Sequence, residues 1–286
     1  MRLQLQHRIE INYSELVTDS VIDIRLSPPT TRFQANESST ISVLPDAPLI
    51  HYEDLNVNRV HHFEVIEPHS RLVIECEAIV SNRSKIDFDA LPFGFHHAHL
   101  NKCCDMEECH PFVQDSEFIE RSPDIWRTAL DIQGYSEDVF QTSYLIMEHI
   151  FENYRYQSGT TRISSLASEV IESQQGSSQD FAHAMAALCR AIGVPARYVS
   201  GCFFDATPDH HLRGSNAAHA WVEVYIDGTG WIGFDPTNQR VVDESYIVMA
   251  RGRDYHDVAP VTGVCSSAGG CTMLTTVQVD RLPEGE

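Results

Sequence analysis

Three segments in the second half of the chain carry hydroxyl, imidazole and carboxylate groups in succession. They are Gly176-Ser177-Ser178-Gln179-Asp180-Phe181-Ala182-His183, Ala217-Ala218-His219-Ala220-Trp221-Val222-Glu223-Val224, and Gly230-Trp231-Ile232-Gly233-Phe234-Asp235-Pro236-Thr237-Asn238. Such groups support nucleophilic catalysis when a fold sets them side by side. Taken singly, His219 is an ordinary strand histidine and Asp235 a strand-terminal cap, because a motif has force only in its structural context. A second cluster has metal-type chemistry: His96, His97, His99, Cys103, Cys104, Cys109 and His110 lie close together in sequence. These are zinc-ligand types, but a paired Cys-x-x-Cys with a matching second half is missing. A His-rich loop without metal is therefore expected, and no cofactor. His210-His211 read as an exposed loop, and Cys265 with Cys271 as turn-flanking thiols.

In order, the three segments resemble the transglutaminase-like superfamily of papain-type folds, in particular its bacterial branch with an N-terminal β domain. Gly193-Val194-Pro195-Ala196-Arg197-Tyr198-Val199-Ser200-Gly201, Gly252-Arg253-Asp254-Tyr255 and Asp257-Val258-Ala259-Pro260-Val261 extend the match. Asn58-Arg59-Val60-His61-His62-Phe63 matches the branch's N-terminal region, so the resemblance spans nearly the whole chain. It implies a thiolate at a helix N-terminus, a histidine on a neighbouring strand that shares its proton, and an aspartate that fixes the imidazole tautomer. Carried onto this sequence, His219 is the acid–base and Asp235 its orienter, while Ser178 stands where the family carries cysteine. The backbone N–H of Ser178 is the expected oxyanion donor.

That one atom matters. A thiol of pKa ~8.5 can be drawn down to ~3.5–7.5 at such a helix terminus, whereas a hydroxyl needs concerted proton removal by the histidine. Activity lower by orders of magnitude, or absent, is the expectation. The serine is either a natural change or an introduced Cys→Ser exchange. Cys189, deep in the same helix, and Cys202, on a strand, cannot stand in for it. Trp221, Trp231 and Phe234 are expected in the core, with Asp180 and His183 bonded to nearby strands.

The elements that must position these groups fall into two kinds. Residues 3–13 alternate Leu3, Leu5, Ile9, Ile11 and Tyr13 with polar neighbours, the period-2 mark of a half-buried strand. Further strands are predicted at 20–26, 39–44, 59–66 and 71–80, separated by turn residues such as Pro28-Pro29 and Pro45-Asp46. From about residue 112 the period changes. Phe140, Tyr144, Met147, Phe151 and Tyr154 form a helical stripe with Ser136 as its N-cap. Helices follow over 164–174 and 178–192, then strands at 196–204, 217–226 and 230–235 and a last pair after Asp257. The expected class is α+β: an antiparallel β-sandwich over 1–111, then a transglutaminase/papain-like domain over 112–286 with helices packed on an antiparallel sheet.

Length and charge bound the rest. The 286 residues suffice for two domains, and 42% apolar content excludes a disordered chain. A formal charge of −21 repels phosphate backbones and anionic lipid, so neither nucleic acid nor membrane is an expected partner; a neutral or basic substrate fits better. No apolar run of signal-peptide or spanning length occurs, which suggests a cytoplasmic protein. The eight cysteines are expected to be mostly reduced. The expected function is a thiol-type amide hydrolase scaffold acting on peptide or isopeptide bonds of a peptide or protein substrate through an acyl-enzyme, with water the acceptor. The alternative is a non-catalytic peptide-binding module.

Overall fold

The computed structural model describes residues 1–87, 90–157, 165–207, 212–215, 217–266 and 269–283. His210-His211 lie outside these. Up to Asn82 the regular elements are all strands: β1 (Arg2–Val17), β2 (Ser20–Ile24), β3 (Gln34–Leu44), β4 (Ile50–Glu53), β5 (Arg59–Val65) and β6 (His69–Asn82). Helices follow as α1 (Leu100–Cys104), α2 (Pro123–Gln133) and α3 (Val139–Asn153). Next come β7 (Arg155–Tyr156), α4 (Ala167–Ser173), β8 (Gln175–Gly176) and α5 (Ser178–Ala191). The chain ends with β9 (Ala196–Phe203), β10 (His219–Ile226), β11 (Gly230–Asp235), β12 (Arg240–Val241), β13 (Tyr246–Gly252), α6 (Tyr255–Val258), β14 (Val261–Val264) and β15 (Cys271–Arg281).

The alternation in β1 does what its period requires. Leu3, Leu5, Ile9 and Ile11 are buried, and they meet Ile24, Phe63, Leu72 and Ile74 in one core between two four-stranded sheets. Those sheets run β15-β1-β6-β3 and β14-β2-β5-β4, all pairings antiparallel. Here the structure departs from the domain reading. The last two strands, expected within the second unit, pair with the first: Leu3 faces Arg281 on β15, and Ile24 faces Val261 on β14. Pairing across such a separation leaves no local trace, so nothing in the sequence of β14 or β15 names its partner.

The rest of the chain builds a five-stranded antiparallel sheet, β12-β11-β10-β9-β13, with helices on it. Phe181, Met185 and Leu188 of α5 are fully buried together with Ile146, Met147 and Ile150 of α3 and Val222 and Val224 of β10. The large apolar residues fall at the helical spacing expected over 178–192, but α5 is buried on nearly every side, with twelve of its fourteen residues buried. The cap of α3 differs from expectation. Asp138, not Ser136, accepts from Gln141 N at 2.9 Å, while the Ser136 hydroxyl donates to the Asp138 carbonyl. Helix α2, capped by Ser122 with Pro123 in its first turn, was not foreseen, nor was β13, whose seven residues are all buried and so show no alternation.

Side-chain amides join the two halves. Gln34 donates to the Val248 carbonyl and accepts from the Val248 N–H, both at 2.9 Å, and Asn58 does the same for Arg251 at 2.7 Å. Asn82 donates to Tyr246 O at 2.7 Å. The outer edge of β13, lacking a neighbouring strand, is thus satisfied by carboxamides from the sandwich, as buried backbone groups require. Beside them the fully buried Glu223 is met by Lys85, Arg197 and Arg251. Burial alone would raise its pKa, but Arg197, Arg251 and Lys85 override it and hold the carboxylate well below the usual range.

Candidate active site

Ser178 is the first residue of α5, where unpaired backbone N–H groups and the helix dipole favour negative charge. The Asp180 carboxylate accepts from Ser177 N at 2.7 Å and Ser177 Oγ at 2.9 Å, fixing the turn that presents Ser178. Asp180 therefore serves the helix start. His183 bonds outside the sheet: its Nε2 accepts from Tyr255 N at 3.2 Å, and its ring stacks on Phe118 at 5.4 Å. Helix α5 lies against β10, whose first residue is His219.

The side chains of His219 and Asp235 meet at the sheet's end. Asp235 ends β11, is wholly buried, and its Oδ2 lies 2.8 Å from His219 Nε2. Because a carboxylate only accepts, Nε2 carries a proton, and in the neutral tautomer this selects, Nδ1 presents the lone pair. Nδ1 is buried and without a hydrogen-bond partner. No hydrogen bond joins it to Ser178 among the described residues. Gly214, at φ +85°, closes against this nitrogen; a Cβ there would sit 2.7 Å from Nδ1, so glycine is needed both for the backbone conformation and for the space. Phe203 edges the imidazole at 5.0 Å.

Three further partners of Asp235 escaped the sequence reading. Asn238 Nδ2 and Tyr246 Oη donate to its Oδ2 at 2.9 and 2.8 Å, and Thr237 N donates to Oδ1 at 2.9 Å. Burial pushes the Asp235 pKa up, but His219, Asn238 and Tyr246 outweigh it and hold the carboxyl below its ordinary value. Burial and the adjacent carboxylate push the Tyr246 phenol well up, keeping it a donor. Asn238 had a local signal, since it closes the quoted Asp235-Pro236-Thr237-Asn238 run. Tyr246 had none, because it comes from β13.

The remaining candidates do not converge. His97 Nε2 shares a hydrogen bond with Thr142 Oγ1 at 2.9 Å, Cys103 and Cys109 are buried in the helical core, and Cys104 Sγ donates to Gly193 O at 3.3 Å. His110 Nδ1 donates to Cys104 O at 3.2 Å, and His96 and His99 stand edge to face at 6.2 Å. Among the described residues no three His, Cys, Asp or Glu side chains could together hold a metal ion. All eight cysteines are free thiols. Burial pushes the Cys189 thiol up to about 12 and raises Cys202 as well, so neither offers a thiolate. Trp221 and Phe234 are fully buried; Trp231, half-buried, lies under the Arg197 guanidinium at 4.2 Å. No helix of the described residues is long and apolar enough to cross a membrane.

The chain is similar in sequence and fold to known proteins. The family described as the transglutaminase-like superfamily matches residues 127–236, and the bacterial transglutaminase-like N-terminal region matches 3–81. The uncharacterized protein Rv2569c of Mycobacterium tuberculosis is 31% identical over 100% of this chain and 94% of its own. A crystal structure described as a “Putative Cysteine Protease” from Cytophaga hutchinsonii has the same fold, with a TM-score of 0.79 at 23% identity over 100% of this chain and 92% of that one. A protein-glutamine gamma-glutamyltransferase of Pseudomonas aeruginosa is 36% identical over 73 residues, 24% of this chain and 11% of that protein. The chain belongs to the transglutaminase-like superfamily, in the branch that carries the bacterial N-terminal β region.

Proposed function

We propose that this chain is a transglutaminase-like amide hydrolase scaffold that acts on peptide or isopeptide bonds through an acyl-enzyme, with Ser178 at the nucleophile position. His219 Nδ1 is the base, Asp235 holds the imidazole tautomer, and the Ser178 backbone N–H at the start of α5 receives the oxyanion. The observation that carries this reading is the His219–Asp235 bond of 2.8 Å together with the buried, unpartnered Nδ1. A structural histidine buried this deeply would ordinarily satisfy both ring nitrogens. Attack by the nucleophile on the scissile carbonyl passes its proton to Nδ1; the imidazolium returns it to the leaving amine, and water repeats the sequence on the acyl-enzyme. The substrate is a peptide or protein chain, and the protein works in the cytoplasm.

Ser178 itself favours a second reading, a non-catalytic module that holds a peptide in the cleft. The Ser178→Cys variant separates the two. On the hydrolase reading its thiol reacts rapidly with iodoacetamide at pH 6, and the added exchange His219→Ala abolishes that reactivity. A thiol of ordinary sluggishness at pH 6 would establish the binding module instead.

A further inference from the structure

We infer that Arg213 is a specificity residue that selects substrates bearing a carboxylate beside the scissile amide; this rests on the catalytic reading of the Ser178–His219 cleft. Two segments of that site meet at Arg213. On one side it lies over the ring of Tyr156 at 5.5 Å, and Tyr156 pairs with Gly176, two residues ahead of Ser178. On the other, the next residue is Gly214, which closes on His219 Nδ1. The backbone of Arg213 is clamped to the same asparagine that supports Asp235: its N–H donates to Asn238 Oδ1 at 2.9 Å, and Asn238 Nδ2 donates to its carbonyl at 3.1 Å.

The side chain is held but not neutralised. Phe151 contributes a second aromatic face 5.3 Å from the guanidinium. Its one polar contact among the described residues is a long one, Nη1 to Thr237 O at 3.5 Å. Elsewhere in this acidic chain Arg71, Arg197, Arg251 and Arg253 each lie within 3.0 Å of a carboxylate, whereas Arg213 meets none among the described residues. A guanidinium stacked on two rings keeps its N–H edge free and preorganised, the arrangement that takes a carboxylate with two parallel hydrogen bonds. The net charge of −21 had pointed towards neutral or basic substrates, but screening removes charges beyond ~8 Å, and the nearest cation then decides.

The carboxylate can come from an Asp or Glu side chain or from a chain terminus, and the two are separable on the protein as it stands, since the slow turnover expected of Ser178 leaves binding readable. The probes are acetylated, amidated Ala/Ser hexapeptides with one Glu at each position in turn, each matched by its Gln counterpart, and the same host with a free terminal carboxylate matched by its amide. Calorimetry is expected to find at least a tenfold preference for the carboxylate in one of these pairs. Arg213→Gln brings that ratio close to one, and Arg213→Lys, which keeps the charge but loses the fork, leaves an intermediate value. Equal affinities in every pair, no measurable binding of any carboxylate peptide, or a preference that survives Arg213→Gln overturns the inference. Should Arg213→Gln fail to fold, an undiminished preference in Arg213→Lys does so. The iodoacetamide test of the Ser178→Cys variant needs no peptide, so the catalytic reading and this one fail separately.

Discussion

Asp235 accepts four hydrogen bonds, three of them on the oxygen that meets the imidazole. So crowded an acceptor fixes more than a charge: it leaves the histidine one ring orientation and one tautomer. An amide in its place could turn its NH2 towards Nε2 and move the ring proton to Nδ1, where the base must be bare. Asp235→Asn, made in the Ser178→Cys variant, is therefore expected to slow alkylation at pH 6 at least a hundredfold, by analogy with the about 10⁴-fold loss such a change causes in a serine triad. An unchanged alkylation rate would show that the aspartate merely packs. Tyr246 belongs to the same arrangement, and its legibility shows where sequence reasoning stops. His219 and Asp235 sit in motifs; Tyr246 reaches Asp235 only because β13 lies on the far side of β9 from β10 and β11 in the same sheet.

Among the elements, β13 is the junction piece. Its inner edge pairs with β9, and its outer edge is completed by Gln34 and Asn58, with Asn82 adding one bond. Gln34→Leu keeps the volume but orphans the N–H and carbonyl of Val248. With about 1–3 kcal/mol for each stranded buried group, chemical denaturation should reveal a loss of at least ~2 kcal/mol. A loss under ~0.5 kcal/mol would mean that water replaces the amide without penalty. The half-buried strands were legible because each exposes one face and hides the other, which writes a period into the sequence; α5, buried on nearly every side, was legible from the helical spacing of Phe181, Met185 and Leu188 among small residues. Strand β13 hides both faces, and β14 and β15 are specified by distant edges, so their residues carry no comparable mark. Likewise nothing in the sequence marks Gln34, Asn58 and Asn82 as ligands of β13, and only the assembled junction shows what they bind.

The whole molecule carries buried bases that set its acid limit. Burial lowers the pKa of His183, against a weaker opposing pull from Asp254, and that of His7 as well, each to about 4, against about 6.5 in an unfolded chain. Both are neutral in the fold, so the unfolded state binds their protons first as the pH drops. Their contribution, about 2–3 kcal/mol each as an upper bound, is complete above pH 6.5 and is lost progressively towards pH 4. The depressed Asp235 extends the loss below that. Thermal melts at pH 7.5, 6, 5 and 4 should show a steady fall in Tm, shallower in His183→Gln; a level Tm from pH 7 to 4.5 contradicts this. The pairing of β1 with β15 also has a consequence in time. Strand β15 leaves the ribosome about 250 residues after β1, a wait of roughly 13–50 s at 5–20 residues per second, during which one edge of the first sheet stands open to any passing strand. The nascent chain thus meets its greatest risk of misassociation while its second half is still being synthesised, and it closes its first sheet last.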